Sequence, residues 1–158
     1  MLKTKVIVDV SDAAVSDDPD DVIITSSLAS CIAVSLYDPT ARIGGMLHYQ
    51  LPESKIEPSR AKQKPLMFAD TGMQILIRKL EQTGANKKRL QVKIAGGAAM
   101  SKGPKGFDIG KRNYLAIRKL LWKKGMFIQG EDVGGETPRN MQLDIADGTV
   151  TVKSNGIE

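Results

Sequence analysis

The chain has 158 residues, 41% of them hydrophobic and 26% charged, with a net charge of +5. That length and apolar content suit one domain with a sizeable core, and no run approaches the ~18 apolar residues of a membrane-spanning helix. One cysteine excludes an internal disulfide, and one histidine cannot build a zinc site with it alone; no metal site and no cofactor are expected.

Residues 3–10 alternate Val6, Val8 and Val10 on one face and predict a strand rather than the continuous apolar core of a signal peptide; a cytoplasmic protein is expected. "SDAAVSDDPDD" reads as an acidic loop without regular structure. "VIIT", "CIAVSLY" and "IGGMLHYQL" read as strands, the last two separated by "DPTAR". From Leu66 to Gln82 the period changes: Leu66, Ala69, Met73, Leu76, Ile77 and Leu80 form a helical stripe, with Gly84 as its stop. "LQVKIA" is a buried strand running into the glycine-rich loop "GGAAMSKGPKGFDIG". A second helix spans about Gly110 to Lys124, burying Ile117, Leu120 and Leu121 and ending at Gly125. "MFIQGEDV" is a strand, and "MQLDIA" and "TVTVKS" form a hairpin about Asp147-Gly148. The order β-β-β-β-α-β-α-β-β-β predicts an α/β fold: largely antiparallel sheets in a layered sandwich, with two main helices packed on the outside.

The basic residues of "PSRAKQK", "NKKR", "SKGPKG" and "KKG" read first as solvated surface. A polyanionic partner is the sharper reading, but nucleic acid is disfavoured. The chain has one Trp, three Tyr and three Phe, no Cys/His finger and no aromatic–basic binding motif.

The sole cysteine, Cys31, and the sole histidine, His48, fall within one stretch, "SLASCIAVSLYDPTARIGGMLHYQLP". If "DPTA" makes a tight turn, paired residue numbers sum to 79 and Cys31 lies directly opposite His48. A sum of 81 leaves them diagonal neighbours on one face, whereas 80 puts them on opposite faces. Pro39, with its φ fixed negative, disfavours the primed two-residue turns. A thiol beside an imidazole suits nucleophilic acyl chemistry, in which the histidine accepts the thiol proton. The alternative is a structural cysteine and a histidine at a strand end. Thr25, Ser26, Ser27 and Ser30 are all candidates for the group that orients the ring.

The segment "TSSLASCIAVSLYDPTARIGGMLHYQLP" resembles that of the CheD family, chemoreceptor glutamine deamidases of bacterial chemotaxis. "KIAGGAAM", "DIGKRN", and "GEDVGG" followed by an arginine and the final hairpin resemble CheD elements in the same order, over roughly residues 22–152. The resemblance implies a single deamidase domain over residues 1–158, with Cys31 as nucleophile, His48 as general base and acid, and Thr25 orienting the imidazole. Backbone N–H groups near Ser30 and Cys31 would stabilise the oxyanion. Ser27, Gly96-Gly97 and Gly134-Gly135 are candidates for the substrate cleft, although the glycines read equally as turns.

The family pattern "LGxGSC" carries glycines where this chain has Ser27 and Ala29, which puts the approach to the thiol in question. The implied partners are the cytoplasmic helices of methyl-accepting chemoreceptors and a CheC-type phosphatase, with no membrane insertion. Arg60, Lys62, Lys64, Lys111 and Arg112 are candidates to steer an acidic receptor helix. A regulatory binding module with little catalysis is the second reading, and a small-molecule cysteine amidase or thioesterase the third.

Overall fold

The structure, a computed structural model, describes residues 2–99 and 108–154. In chain order its elements are β1 (Thr4–Ile7), β2 (Asp12–Ser16), β3 (Asp21–Leu28), β4 (Ile32–Asp38), β5 (Ile43–Tyr49), α1 (Pro58–Gln63), α2 (Ala69–Thr83), β6 (Gln91–Gly96), α3 (Ile109–Lys123), β7 (Ile128–Val133), β8 (Arg139–Asp144) and β9 (Val150–Ser154). Two sheets form, in the orders β1-β3-β8-β9 and β2-β5-β4-β6-β7. Their pairings are antiparallel except β1 with β3 and β6 with β7. The expected layered α/β architecture is therefore present, with mixed sheets.

Every residue of β4 and β5 is buried, as a strand covered on both faces must be. The alternation of side chains divides the interior in two. Ile32, Val34, Leu36, Leu47 and Tyr49 pack under the helices with Met73, Leu76, Leu80, Ile117 and Leu121. Ala33, Tyr37 and Met46 face the first sheet, against Ile23, Met141 and Leu143. The layers thus run sheet, sheet, helices, and the five-stranded sheet is the middle one.

The helical stripe from Leu66 resolves into a 3₁₀ turn, Pro65–Met67, followed by α2, which ends on Gly84 in the left-handed conformation at φ 117°. A short helix, α1, precedes it where none was expected; Pro58 at its first turn donates no N–H and needs none there. α3 buries Ile117 and Leu121 as expected, whereas Leu120 is half-buried.

The acidic segment is a correction. Asp12–Ser16 is an edge strand, β2, paired along β5 from Asp12↔His48 to Ser16↔Gly44. Its Ala13 and Val15 pack on the helix-side core, and that burial outweighs the poor strand propensity of its polar neighbours. Only the aspartates after it make a turn, where the Asp20 N–H donates to Asp18 Oδ1 at 2.9 Å and the Asp21 N–H to the Asp18 carbonyl at 2.9 Å. Of the glycine-rich loop, residues 100–107 lie outside the described residues.

The β4–β5 register sums to 81, not 79: Ala33 faces His48 and Asp38 faces Ile43. A four-residue turn, Pro39 to Arg42, closes the hairpin, with the Arg42 N–H bonded to the Asp38 carbonyl at 2.8 Å and Arg42 left-handed at φ 56°. Pro39 blocks the two-residue primed turn, and the Asp38 side chain rewards the longer one. Its Oδ1 accepts from the Thr40 and Ala41 N–H groups at 3.0 and 3.1 Å, its Oδ2 from Asn86 N–H at 2.8 Å, and Arg89 binds both oxygens at 2.9 Å. Burial alone would raise the Asp38 pKa, but the Arg89 guanidinium and these N–H donors hold it well below the usual carboxylate range. Asp38→Ala removes a buried charge and orphans these donors, and is expected to cost about 3 kcal/mol in chemical denaturation.

Candidate active site

His48 points from β5 into the space between the sheets and is almost wholly buried. Opposite it, Thr25 on β3 of the other sheet places Oγ1 2.8 Å from His48 Nδ1 and 2.6 Å from the Val8 carbonyl oxygen. These two contacts fix the tautomer. A carbonyl can only accept, so the single hydroxyl proton of Thr25 goes to Val8, and Nδ1 must donate its own proton to Oγ1. The Nε2 lone pair is then bare, and Nε2 has no hydrogen-bond partner among the described residues. Burial pushes the imidazole pKa down to about 4, against a smaller upward pull from Asp9. The ring is neutral at neutral pH.

Cys31 sits immediately before β4, half-buried against the same inter-sheet core. Under the observed register it is the diagonal neighbour of His48 on one face, the arrangement expected for a sum of 81. Burial pushes its thiol pKa up, opposed in part by its own backbone N–H beside the sulfur. Thiol and imidazole are therefore a neutral pair at rest.

The backbone around Cys31 is held carbonyl by carbonyl. Ala29 O accepts from Ala98 N–H at 2.7 Å and Cys31 O from Gly97 N–H at 2.8 Å, while Ser30 O accepts from Asn113 Nδ2 at 3.0 Å. Gly96, left-handed at φ 112°, lies so close that a Cβ would collide with the Cys31 carbonyl oxygen. Gly96 and Gly97 thus shape the cysteine loop directly. Gly134 and Gly135 stand one layer back: Gly134 N–H donates to Gly96 O at 3.0 Å, and Gly135 O accepts from Ala99 N–H at 2.7 Å. Arg139, nearly buried, ties their turn through the Asp132 carbonyl at 2.7 Å, the Asp132 carboxylate at 2.8 Å and the Gly134 carbonyl.

Ser27 is exposed on a bulge in β3, where the pairing with β8 slips between Thr25 and Leu28. Its φ is 59°, left-handed, and its N–H bonds Asn140 Oδ1 at 3.1 Å. A position where glycine is usual in the resembled family is thus one where glycine is conformationally favoured, and the serine adopts the same backbone at a cost. Sequence reasoning missed Val8, whose contribution is a backbone carbonyl, and Asn113. The latter was signalled by its place on the α3 stripe, four and eight residues before Ile117 and Leu121. A surface cleft of about 220 Å³ between Pro52–Lys55 and α3 has neither Cys31 nor His48 in its lining.

The family described as "CheD chemotactic sensory transduction" matches residues 50–154. Among curated relatives, the "Probable chemoreceptor glutamine deamidase CheD" of Solibacter usitatus is 49% identical over 152 residues, covering 96% of this chain and 90% of the relative. The "Probable chemoreceptor glutamine deamidase CheD 1" of Syntrophus aciditrophicus is 45% identical, covering 96% and 94%. The "Chemoreceptor glutamine deamidase CheD" of Thermotoga maritima is 38% identical, covering 96% and 93%.

Two outcomes follow from this geometry. Ser27→Gly is expected to stabilise the protein by about 1 kcal/mol in urea unfolding, by relieving the left-handed serine. His48, the only histidine, gives a single imidazole C2–H signal, expected to titrate in NMR near pH 4. Between about pH 6.5 and 4 the unfolded chain binds this proton and the folded chain does not, so stability falls as pH falls through that window. Relative to His48→Gln, the loss is on the order of 3 kcal/mol.

Proposed function

The chain belongs to the CheD family, and from that we propose that it is a chemoreceptor glutamine deamidase that works through a Cys31 thioester. The observation that carries the reading is the His48 ring, pinned through Nδ1 to Thr25, with a bare Nε2 on the sheet face that Cys31 shares.

The reaction takes a glutamine side chain of a receptor helix as its substrate. Nε2 accepts the Cys31 thiol proton as sulfur attacks the carboxamide carbon, and the carbonyl oxygen becomes an oxyanion facing the Cys31 N–H. Because the resting pair is neutral, proton transfer accompanies attack rather than preceding it. The imidazolium then returns its proton to the departing nitrogen, and ammonia leaves as the tetrahedral adduct collapses to the thioester. Water, deprotonated by Nε2, attacks the thioester; glutamate forms and the sulfur recovers its proton. Throughout, Thr25 accepts from Nδ1–H, which keeps the ring in one tautomer and one orientation.

A neutral glutamine becomes a charged glutamate, which changes the charge of the receptor helix and supplies a methylatable carboxylate. Acidic receptor helices suit a protein of net charge +5, on which Arg60, Lys62, Lys64, Lys111 and Arg112 are all exposed. No described helix is long and apolar enough to cross a membrane.

Ammonia release from purified receptor signalling domain tests the reading. Cys31→Ala and His48→Ala are each expected to abolish release while remaining folded, and Thr25→Ala to lose about 10- to 100-fold, because it orients rather than reacts. Full activity in Cys31→Ala would eliminate the thioester route.

A further inference from the structure

The β4–β5 ladder stops at Ile32↔Tyr49, so Cys31 lies just past its open end and His48 just inside it. Beyond that point strand pairing no longer fixes the two segments relative to each other. Asn113 occupies this gap. It is fully buried on the inner face of α3, at the head of a stripe otherwise filled by Ile117 and Leu121. Its two Nδ2 protons go to two different segments, Ser30 O at 3.0 Å and Gln50 O at 2.8 Å. Ser30 immediately precedes Cys31, and Gln50 follows His48 by two residues.

The helix that delivers this amide is itself fixed at the same end. The Tyr49 hydroxyl donates to the Asn113 carbonyl at 2.6 Å. A Cβ on Gly110 would come within 2.5 Å of Ala98 O and 2.7 Å of Gly97 O, so the first turn of α3 rests directly on the loop that holds the Cys31 carbonyl. The Asn113 Oδ1, in contrast, is buried without a partner among the described residues. A buried, unmatched amide oxygen costs about 1–3 kcal/mol, so a position selected only for core stability would favour an aliphatic side chain. What asparagine offers here is two donors on one planar nitrogen, aimed at two carbonyls.

We propose that Asn113 is a positioning residue: its side-chain amide continues the β4–β5 ladder past its end and fixes the Cys31 segment against the His48 segment. This rests on the deamidase reading only where activity is measured. Without the clamp, the cysteine loop loses one of its three carbonyl anchors while Gly97 and Ala98 retain the other two. The fold persists, and the thiol becomes more exposed and less well aimed.

The test compares full-length protein with Asn113→Ala and with Asn113→Asp, which keeps the shape but replaces both donors with acceptors. Three quantities are measured: Cys31 alkylation by iodoacetamide at pH 8, the His48 C2–H titration, and kcat and KM for receptor deamidation. Alkylation is expected to rise about tenfold as the thiol pKa relaxes towards its ordinary value, while kcat falls at least about tenfold with KM within about twofold. The His48 titration stays low, which separates this outcome from unfolding, where it would return to the ordinary range. Unchanged alkylation and kcat in variants with a low His48 titration would overturn the proposal.

Should both variants unfold, the wild-type protein decides. The Asn113 side-chain amide protons are expected to exchange at least about 100-fold more slowly than a free amide, and rapid exchange overturns the clamp. If the wild-type protein releases no ammonia from receptor, the deamidase reading fails, while alkylation and exchange still judge Asn113.

Discussion

The state of the site's imidazole depends on one hydroxyl that joins the two sheets. Thr25 belongs to the four-stranded sheet and His48 to the five-stranded one, and the only polar link described between their facing surfaces at this point is Thr25 Oγ1. Its proton is committed to Val8 O, in the segment that follows β1, so its lone pair is committed to the imidazole. In this way the packing of one layer upon another becomes a protonation state. The ring is not merely placed; it is left with a specific nitrogen unprotonated, in surroundings that oppose its becoming charged.

That arrangement has a consequence for reactivity. Burial lowers the imidazole pKa and raises the thiol pKa, so the two groups do not rest as an ion pair. A free thiolate would react readily with any electrophile at hand, whereas a neutral pair reacts slowly except where a bound acyl group can accept the sulfur as the proton leaves. On the proposed mechanism, selectivity for a docked glutamine begins with this electrostatic reluctance rather than with a deep pocket.

The cysteine segment is controlled through its carbonyls, from three directions. Ala98 and Gly97 hold it from the end of β6, Asn113 from α3, and the Gly134-Gly135 turn braces the β6 end in turn through the buried Arg139. Glycine at position 96 is required because the Cys31 carbonyl occupies the space where a Cβ would be. The bulge at Ser27 shows the opposite case, in which a backbone shape suited to glycine is met by serine, with Asn140 binding its N–H. The serine alters local strain and leaves Cys31, His48 and Thr25 in place.

Local pattern was enough for much of the fold. Alternation in "CIAVSLY" and "IGGMLHYQL", the stripe of α2, the Gly84 stop and the Asp147-Gly148 turn are each set by steric and burial rules acting over a few residues. The same rules left the hairpin register open: sums of 79 and 81 put Cys31 and His48 on one face and 80 puts them on opposite faces, because each single-residue slip reverses the side to which a side chain points. They could not choose the observed sum of 81, since that choice lies with Asp38, whose oxygens bind Asn86 and Arg89, residues about fifty positions away. Nor could they find β2, which exists because β5 offers it an edge, or single out Val8, whose part is played by a carbonyl that every residue possesses. The sequence by itself determined which residues can do chemistry and that they lie on neighbouring strands of one hairpin. Tertiary structure alone decided the face that Cys31 and His48 share, the tautomer of His48 and the anchoring of Cys31, because all three are set by hydrogen bonds between strands and helices that the chain brings together only on folding.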